Sequence, residues 1–400
     1  MRKLRILYFS RDYTTHDHRF LSALATAGQQ AYYLRLERQA HDYESRALPP
    51  EVEILQWGGG KKPAQLRDGL GLAVELRNLL RKLKPDIVQA GPLQRSALLA
   101  ALAGARSLVS MSWGYDLLFD AGRSRWWQQA TRYTLQHSAA MVGDCDTIRR
   151  LAVSYGMPSE RIVTFPWGID LAHFSPSADA KTQDVTPPGA GPSSPFTILS
   201  TRSWEPIYGV DVIARAFALA ARQRPELRLV MLGNGSQAGL LRQIFLSEGL
   251  IGGGAEASGG ERVIFPGQVG FNDLPRYYRS ADLYIAATHS DGTSISLLEA
   301  MACGLPVLIS NIPGNREWMA PADTAGEEHR VEGGAEFQNG WLFPDGNVQA
   351  LAQAIIQAAA DRERLQRMGN AARTIAEERA DWNKNFPQLF RAFEIALQNP

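Results

Sequence analysis

The sequence predicts an α/β protein with two doubly wound domains, each built on a mainly parallel sheet. Three observations lead to this prediction. Short apolar runs alternate with segments of helical periodicity in two separate series, an alternation typical of parallel sheets covered by helices. A stretch rich in Pro, Gly and Ser separates the two series. The length of 400 residues suits two domains of about 100–200 residues each.

The first series predicts an N-terminal domain over residues 1–174. Its candidate strands are LRILYFS, QAYYLRL, PDIVQAG, SLVSMSW and AAMVGDC, and amphipathic segments such as RFLSALATAG and GLAVELRNLLRKLK lie between them. The runs are apolar nearly throughout, as expected of strands buried on both faces. The first strand continues into SRDYTTHDHRF without a glycine, which argues against NAD or FAD at this position.

Residues 175–195 are predicted to form a linker or loop, because their composition cannot bury a core. FTILSTR then opens the second series, which predicts a domain over residues 196–380 with further strands in LRLVMLG, ERVIFPGQV, LYIAATHS and LPVLISN. Residues 321–337 are predicted to be a surface insertion in this domain. Residues 381–400 are predicted to form a terminal helix.

Composition excludes several classes of protein. Hydrophobic residues make up 45% and charged residues 21%, which is ordinary for a globular chain. The cysteines Cys145 and Cys303 are too few for a disulfide scaffold and suit a reducing compartment. Arg11 interrupts the apolar start before a signal-peptide core forms, and no run approaches the roughly 20 apolar residues of a membrane span. A cytoplasmic location is therefore predicted.

Charge is unevenly distributed along the chain. The formal net charge is +1, but residues 1–170 carry 23 Lys and Arg against 16 Asp and Glu. Two basic segments contribute: Arg77, Arg81, Lys82 and Lys84 on one predicted helix, and Arg123-Ser-Arg125-Trp126-Trp127. This pattern predicts either peripheral association with the inner membrane face through the basic N-terminal domain, or a solvated helix face with buried aromatics. No nucleic-acid-binding motif is present, and no nucleic-acid partner is predicted.

The segment THSDGTSISLLEAMACGLPVLISN carries the clearest chemistry. A strand ends near Thr288, a polar loop follows, and a helix is predicted from Ile295. The N-terminus of a helix is a site for phosphate, because its N–H groups and dipole favour anions. Glu299, beside such a site, is suited to accept hydrogen bonds from sugar hydroxyls. Asp291 and Glu299 are therefore predicted to hold hydroxyls on either side of a diphosphate.

Asp291-x7-Glu299, continuing as Ala-Met-Ala-Cys-Gly-Leu-Pro-Val, resembles the Glu-x7-Glu signature of glycosyltransferase family 4. Other segments resemble the family in order and spacing: Pro166-Trp167-Gly168-Ile169-Asp170, Arg202, Phe265-Pro266-Gly267-Gln268-Val269, Gly314 with Glu317, and Asn339-Gly340-Trp341-Leu342-Phe343. The resemblance implies a GT-B fold, with two domains facing across a cleft and a final helix that crosses back to the first domain. It also implies retaining transfer from a nucleotide sugar without a metal or other cofactor.

The resemblance also implies roles for individual residues. Arg202 would neutralise the donor diphosphate and Glu299 would bind the ribose. Asp291 is a catalytic candidate and would hold hydroxyls of the transferred sugar. The remaining donor-side candidates are Tyr208, Gly209, Gly233, Gly235, Gln268, Val269, Thr293, Ser294 and Ile295. The glycines of Gly233-Asn234-Gly235 would admit the nucleotide, although a simple tight turn is an alternative. Asp116 is a catalytic candidate, and Trp113 belongs to the acceptor side.

Several positions depart from the family pattern. Tyr208 stands where the family usually has a lysine, and Trp113 stands where it has a histidine. Asp291 is one methylene shorter than the usual glutamate, and Gln89-Ala90-Gly91 replaces a His-x-His. These departures leave open a distinct subfamily or a weakened enzyme.

His16 and His18 are candidates to compensate for the missing histidine. His16 is predicted as a catalytic residue and His18 as an acceptor-side residue. The alternative is that Thr14 and Asp17 in this segment merely cap a helix. Zinc binding lacks an evident third ligand, and no metal site is predicted.

The resulting prediction is a retaining glycosyltransferase that uses a nucleotide sugar and modifies a hydroxyl of a glycan, lipid-linked or small-molecule acceptor. Two alternatives stay open: a GT-B nucleotide-sugar epimerase and a non-catalytic nucleotide-sugar-binding subunit.

Overall fold

The computed structural model describes residues 2–38, 44, 46–63, 68–176, 195–252, 261–320, 329–331 and 334–399. Most of the predicted linker, residues 177–194, lies outside these ranges. The chain divides into two compact units: one holds residues 1–166 and 386–400, and the other holds residues 167–385.

The first unit contains a seven-stranded sheet in the order β3-β2-β1-β4-β5-β6-β7, and all neighbouring strands are parallel. The strands are β1 Arg5–Ser10, β2 Gln30–Arg35, β3 Glu53–Ile54, β4 Ile87–Gly91, β5 Leu108–Met111, β6 Ala140–Gly143 and β7 Ile162–Thr164. The helices up to β7 are α1 Thr15–Thr26, α2 Gly69–Leu83, α3 Leu98–Leu102, α4 Tyr115–Leu118, α5 Arg125–Gln136 and α6 Asp146–Ser154. Strands β4, β5 and β6 are buried along their whole length, as their continuous apolar sequences require.

The second unit contains an eight-stranded sheet in the order β10-β9-β8-β11-β12-β15-β14-β13. Its strands are β8 Phe196–Ser200, β9 Leu227–Leu232, β10 Val263–Gly267, β11 Leu283–Ala286, β12 Val307–Ser310, β13 His329–Val331, β14 Gly334–Phe337 and β15 Gly340–Phe343. Its helices are α7 Val210–Gln223, α8 Ala238–Ser247, α9 Leu274–Arg279, α10 Ile295–Ala302, α11 Pro313–Arg316, α12 Val348–Ala358, α13 Arg362–Arg379 and α14 Trp382–Asn385. Six strands run parallel, whereas β13 and β14 form an antiparallel edge next to β15.

That antiparallel edge corrects one expectation from the sequence. Residues 321–337 were predicted to be a surface insertion, yet β13 and β14 fall inside this range and extend the sheet. Ala335 and Phe337 are buried in the core of the second unit. Residues 321–328 and 332–333 lie outside the described residues.

The chain passes between the units at two points. Residues 167–174, assigned to the first domain from the sequence, pack with the second unit: Ile169 and Phe174 are buried in its core, and Ile169 N–H donates to the Ala380 carbonyl at 2.8 Å. The last helix, α15 Gln388–Gln398, belongs to the first unit. It packs against β4–β7 and buries Leu389 and Phe393.

Among the described residues, no helix combines the length and the apolar character that crossing a bilayer needs.

Candidate functional site

Most of the predicted donor-side residues lie at one edge of the second sheet. Arg202 follows β8, Gly233 follows β9, Gln268 follows β10, and Asp291 follows β11. Since β10, β9, β8 and β11 are consecutive parallel neighbours, their carboxyl ends meet at the same edge. Open α/β sheets bind ligands at this edge.

Arg202 is the centre of a hydrogen-bond network at this edge. One guanidinium nitrogen donates to Asp291 Oδ2 at 2.7 Å, and the other donates to Ser294 Oγ at 2.7 Å and Ser296 Oγ at 3.3 Å. Burial lowers the pKa of a guanidinium, but Asp291, with Tyr208 and Tyr284, outweighs it and raises the pKa of Arg202. The cation is therefore fixed beside the N-terminus of α10.

Tyr208 covers the face of the same guanidinium. The Arg202 Cζ atom lies 4.1 Å from the centroid of the Tyr208 ring. Tyr208 ends a 3-10 turn, Pro206–Tyr208, and Gly209 then opens α7 at φ +58°. A Cβ on Gly209 would lie 2.1 Å from the Ala287 carbonyl oxygen. Glycine at this position therefore lets the Tyr208 turn lie directly against the end of β11.

The loop before α10 is supported from α11. Ser294 occupies the N-cap position of α10, and Thr293 accepts a hydrogen bond from the Trp318 indole nitrogen at 3.4 Å. A Cβ on Gly314 would lie 2.3 Å from the Gly292 carbonyl oxygen, so α11 packs against the loop backbone. Ile295, the first residue of α10, is half-buried. The positive end of α10 is thereby held at the sheet edge, where it favours an anion.

Glu299 lies one turn further along α10 and is buried. It accepts a hydrogen bond from the Tyr278 hydroxyl at 2.8 Å. Burial, and then the nearby Glu299, raise the pKa of Tyr278 well above its usual range. Tyr278 also lies 3.1 Å from Thr201 Oγ1, next to Arg202 in sequence. Tyr278 thus links Glu299 to the loop that carries the cation.

Four residues of this network were not predicted from the sequence: Ser296, Tyr278, Tyr284 and Thr201. The Tyr284 hydroxyl donates to Ser296 Oγ at 2.9 Å, and Ser294 and Ser296 lie 3.1 Å apart. The only sequence signal was the serine two residues after Ser294, in the first turn of the helix. The tyrosines come from β11 and α9, and no local pattern distinguishes them from core residues.

The glycines Gly233 and Gly235 make close contacts within the protein itself. A Cβ on Gly235 would lie 2.5 Å from the Trp204 carbonyl oxygen, and a Cβ on Gly233 would lie 3.1 Å from that of Arg202. Gly233 N–H donates to the Gly267 carbonyl at 2.8 Å. The loop after β8 therefore accounts for the need for glycine here.

The two donor-side candidates that follow β10 differ in exposure. Gln268 is exposed, and Val269 is half-buried against the core of the second unit.

In the first unit, His16 and Trp113 come together at the carboxyl edge of the sheet. Their rings meet edge to face, with centroids 5.2 Å apart. A Cβ on Gly91, the last residue of β4, would lie 2.5 Å from the Trp113 indole nitrogen. The glycine of Gln89-Ala90-Gly91 thus makes room for the Trp113 side chain.

Asp116 is fully buried and saturated with hydrogen bonds. It accepts from the Ser112 hydroxyl at 2.6 Å and from the backbone N–H groups of Leu93, Trp113 and Leu117 at 3.0 to 3.3 Å. Burial raises the pKa of its carboxyl, and these hydrogen bonds partly offset the shift. This geometry favours a role in holding the Trp113 loop over direct contact with a substrate.

The segment around His18 caps α1. Asp17 accepts hydrogen bonds from the Thr14 N–H at 2.8 Å and the Thr14 hydroxyl at 2.6 Å. Burial raises the pKa of Asp17 to about 7. His18 Nδ1 lies 2.7 Å from the Tyr13 hydroxyl, and burial followed by Arg46 lowers its pKa. Thr14 and Asp17 therefore cap the helix as one interpretation predicted. The two histidines contact other side chains: His16 contacts Trp113 and His18 contacts Tyr13.

No group of three or more His, Cys, Asp or Glu side chains placed to hold a metal ion occurs within the described ranges of the chain.

Two family models match the sequence. The one described as "Glycosyl transferases group 1" matches residues 187–375, and the one described as "Glycosyltransferase Family 4" matches residues 14–173. Together they leave only the chain ends and a short central stretch unmatched.

Similar curated proteins include a D-inositol 3-phosphate glycosyltransferase of Nocardia farcinica, which is 30% identical over 252 residues, or 62% of this chain and 51% of the relative. A GDP-mannose-dependent alpha-(1-6)-phosphatidylinositol monomannoside mannosyltransferase of Mycolicibacterium smegmatis is 25% identical over 313 residues, or 75% of this chain and 73% of the relative. The chain thus spans about half the length of the first relative.

Solved structures show a similar fold along nearly the whole chain. Anabaena Alr3699/HepE in complex with UDP and glucose superposes with a TM-score of 0.72 at 18% identity, covering 98% of this chain and 99% of that one. Sucrose-phosphate synthase from Thermosynechococcus elongatus superposes with a TM-score of 0.74 at 18% identity, covering 98% of both chains. These similarities confirm the predicted two-domain α/β fold of the GT-B class.

Proposed function

The chain belongs to glycosyltransferase family 4, and from this premise we propose that it transfers a sugar from a nucleotide-diphosphate donor to an acceptor hydroxyl, with retention of configuration. The donor binds at the carboxyl edge of the second sheet. One observation carries the proposal: Arg202 lies beside the N-terminus of α10, hydrogen-bonded to Asp291 and Ser294. A fixed cation, two serine hydroxyls and a helix N-terminus together form a site for a diphosphate.

Donor binding exchanges the partners of Arg202. In the structure the guanidinium is paired with Asp291. An arriving diphosphate carries more charge than this carboxylate and competes for the same donors. Asp291 is then released to accept hydrogen bonds from hydroxyls of the transferred sugar. Glu299, which accepts from Tyr278 through one oxygen, holds the ribose hydroxyls.

The chemical step is electrostatic. As the bond to the anomeric carbon breaks, negative charge grows on the departing diphosphate and positive charge grows on the sugar ring. Arg202 and the N-terminus of α10 stabilise the negative charge on the diphosphate, and Asp291 lies nearby to stabilise the positive charge on the sugar ring. The acceptor hydroxyl attacks the anomeric carbon on the face that the diphosphate leaves, which retains the configuration, and its proton passes to an oxygen of the departing diphosphate. We propose that the protein supplies the cation for the leaving group through Arg202 and needs no metal ion.

The acceptor binds to the first unit in this proposal. Trp113 and His16 meet at the carboxyl edge of its sheet, where an indole face suits stacking on a sugar or cyclitol ring. The relatives named for inositol 3-phosphate and for a phosphatidylinositol monomannoside support a hydroxyl-rich ring, free or lipid-linked.

A second candidate is a subunit that binds the nucleotide sugar without turnover. It is favoured by Tyr208 and Trp113, which stand where the family has a lysine and a histidine, and by the hydrogen-bond saturation of Asp116. Both candidates require the same donor site, so donor binding and turnover must be measured separately.

The first experiment is a melting scan against UDP, GDP and ADP and their sugar conjugates, with and without chelator. A ligand at 100 times its dissociation constant stabilises the fold by about 2.7 kcal/mol. We expect one base to give a shift that survives the chelator and disappears in Arg202→Gln. A shift abolished by chelator would refute metal independence, and no shift with any nucleotide would refute the donor site.

Turnover separates the two candidates. With excess protein, a transferase releases some sugar from the preferred donor to water, and a binding subunit releases none. Asp291→Asn serves as the matched variant, because it retains the shape of the site and removes the charge that stabilises the sugar ring.

A further inference from the structure

Two consecutive tryptophans lie in the first turn of α5, and they differ in their surroundings. Trp127 lies under two guanidinium groups: the Cζ atoms of Arg95 and Arg123 lie 5.4 and 5.2 Å from its ring centroid. Trp126 is turned by about 100° around the helix axis, since a helix has 3.6 residues per turn. Its side chain is 66% exposed. A tryptophan this exposed is unusual, because tryptophan side chains are on average highly buried in folded proteins.

A second aromatic side chain is exposed just before the same helix. Phe119 is 54% exposed and precedes the 3-10 turn Asp120–Gly122 that leads into α5. Phe119 and Trp126 are therefore two large aromatic groups in solvent within one short turn-and-helix segment. They form, with Arg123 and Arg125, what we term the aromatic–basic patch.

The exposed charged side chains within residues 117–143 are all positive. Between residues 117 and 143 the sequence has one acidic residue, Asp120, which is buried and pairs with Arg123 at 3.3 Å. Arg125 and Arg132 of α5 are exposed. No exposed carboxylate in this segment balances the two arginines.

The same layer of helices continues these features. Helix α3 packs against both α2 and α5, so the three helices are adjacent on the sheet. Helix α2 exposes Leu70 and Val74, and its next turns expose Arg77 and Arg81 together with one carboxylate, that of Glu75. Exposed apolar groups and cations therefore occur together on α2 as well as at the patch.

We propose that the aromatic–basic patch seats the protein on an anionic bilayer surface. The rings of Phe119 and Trp126 enter the interface at the level of the lipid headgroups, where aromatic side chains are favoured. Arg125 and Arg132 bind lipid phosphates, and α2 extends the contact. This surface lies outside the donor site, and the inference does not depend on the proposed transfer reaction.

Charge argues against a second copy of this chain as the occupant. A two-fold dimer would bring the patch against itself, and Arg125 and Arg132 of one copy would face the same arginines of the other. An anionic lipid surface instead complements both the rings and the cations.

The test is co-sedimentation with vesicles of phosphatidylcholine alone or mixed with phosphatidylglycerol. We expect binding to the anionic vesicles and little to the neutral ones, weakening at high salt. Arg125→Gln and Arg132→Gln should each weaken partition about fivefold. The double variant Phe119→Ser/Trp126→Ser should weaken it at least tenfold. Leu246→Ser, at an exposed apolar position of the second unit, serves as the control and should bind as the wild type does.

Melting temperatures of all variants should match the wild type, because the substituted groups are exposed. Absence of binding to anionic vesicles would overturn the proposal, and so would undiminished binding by the double aromatic variant. A dimer in sedimentation velocity that Phe119→Ser/Trp126→Ser dissociates would assign the patch to a protein partner instead. Donor binding is read from the nucleotide melting shift, so failure of either proposal is visible separately.

Discussion

Removal of the Tyr208 ring is the sharpest perturbation of the donor site. Tyr208 makes its contact with the face of Arg202, while the edges of the guanidinium are used by Asp291, Ser294 and Ser296. In Tyr208→Ala the edge contacts stay available, but the face is opened to solvent. The cation then loses the ring that restricts its position before the diphosphate arrives.

The size of the effect follows from the burial of the pair. A cation–π contact contributes about 0.5–1 kcal/mol at exposed sites and about 2 kcal/mol when it is desolvated. The Arg202 side chain is only 13% exposed, so the upper value applies. About 2 kcal/mol corresponds to roughly a thirtyfold change in a dissociation constant. We expect Tyr208→Ala to weaken binding of the preferred nucleoside diphosphate by about this factor.

Titration calorimetry with that nucleoside diphosphate measures the effect directly. Tyr208→Phe is the matched control, because it retains the ring and removes only the hydroxyl. We expect its dissociation constant to stay within about twofold of the wild type. If Tyr208→Phe and Tyr208→Ala weaken binding equally, ring stacking does not position Arg202. If neither weakens binding, Tyr208 has no part in the site.

Four further perturbations test other parts of the structure. Glu299→Gln should weaken nucleotide binding by about 1.5–3 kcal/mol, the contribution of hydrogen bonds to a charged group, as measured by calorimetry. Gly209→Ala should lower the free energy of unfolding by about 2 kcal/mol or more, because its Cβ would meet the Ala287 carbonyl at a positive φ. The control is Gly239→Ala in α8, where the added Cβ meets open space, and this variant should raise the free energy of unfolding slightly. Asp116→Asn should lower the free energy of unfolding by about 1–3 kcal/mol and leave nucleotide binding unchanged. Asp17→Asn should gain stability relative to the wild type as pH rises from about 4 to about 7. The reason is that the pKa of the buried Asp17 carboxyl is about 7 in the folded protein, whereas it is near 3.8 in the unfolded chain.

The pH effect has a definite sign and limit. A raised pKa in the folded state means that the unfolded chain binds fewer protons across this range, so the wild type loses stability as pH rises. At 1.36 kcal/mol per unit the loss approaches about 4 kcal/mol and then levels off above pH 7. Chemical denaturation of both proteins at several pH values measures it. A pH-independent difference would contradict a protonated Asp17.

The outcomes that contradict the other three are equally direct. Unchanged affinity in Glu299→Gln would remove the ribose role. Equal stability of Gly209→Ala and Gly239→Ala would show that the Tyr208 turn can move away from β11. Full stability of Asp116→Asn together with lost turnover would restore the catalytic role predicted from the sequence.

Sequence pattern could predict the sheet edge because parallel strands share a direction. Arg202, Asp291 and Ser294 each follow an apolar run, and the carboxyl ends of such runs must lie together in a parallel sheet. The same pattern could not predict Tyr278 and Tyr284, whose hydroxyls reach Glu299 and Ser296 from elements distant in sequence. Nor could it separate β13 and β14 from a surface loop, because most of the preceding segment is polar and rich in glycine and alanine.

Gly233, Gly235 and Asp116 show why residue type alone cannot separate a structural role from a role in ligand binding. Gly233 and Gly235 match a nucleotide-binding pattern, yet the loop carrying Arg202 and Trp204 already occupies the space beside them. Asp116 matches a catalytic motif, yet four donors from its own unit surround its carboxylate. In both cases contacts within the protein give a structural reason for the residue type beside the predicted ligand role.

The two main departures from the family pattern share one physical feature. A lysine position holds Tyr208, whose ring packs on Arg202, and a histidine position holds Trp113, whose ring packs on His16. In each unit an aromatic ring packs on a nitrogen-bearing side chain, Arg202 in the second unit and His16 in the first. At Arg202 the ring covers the face of the guanidinium and leaves its hydrogen-bonding edges to Asp291, Ser294 and Ser296. Tyr208 thus adds preorganisation at the position where the resemblance implies a second charge, which is compatible with an active site.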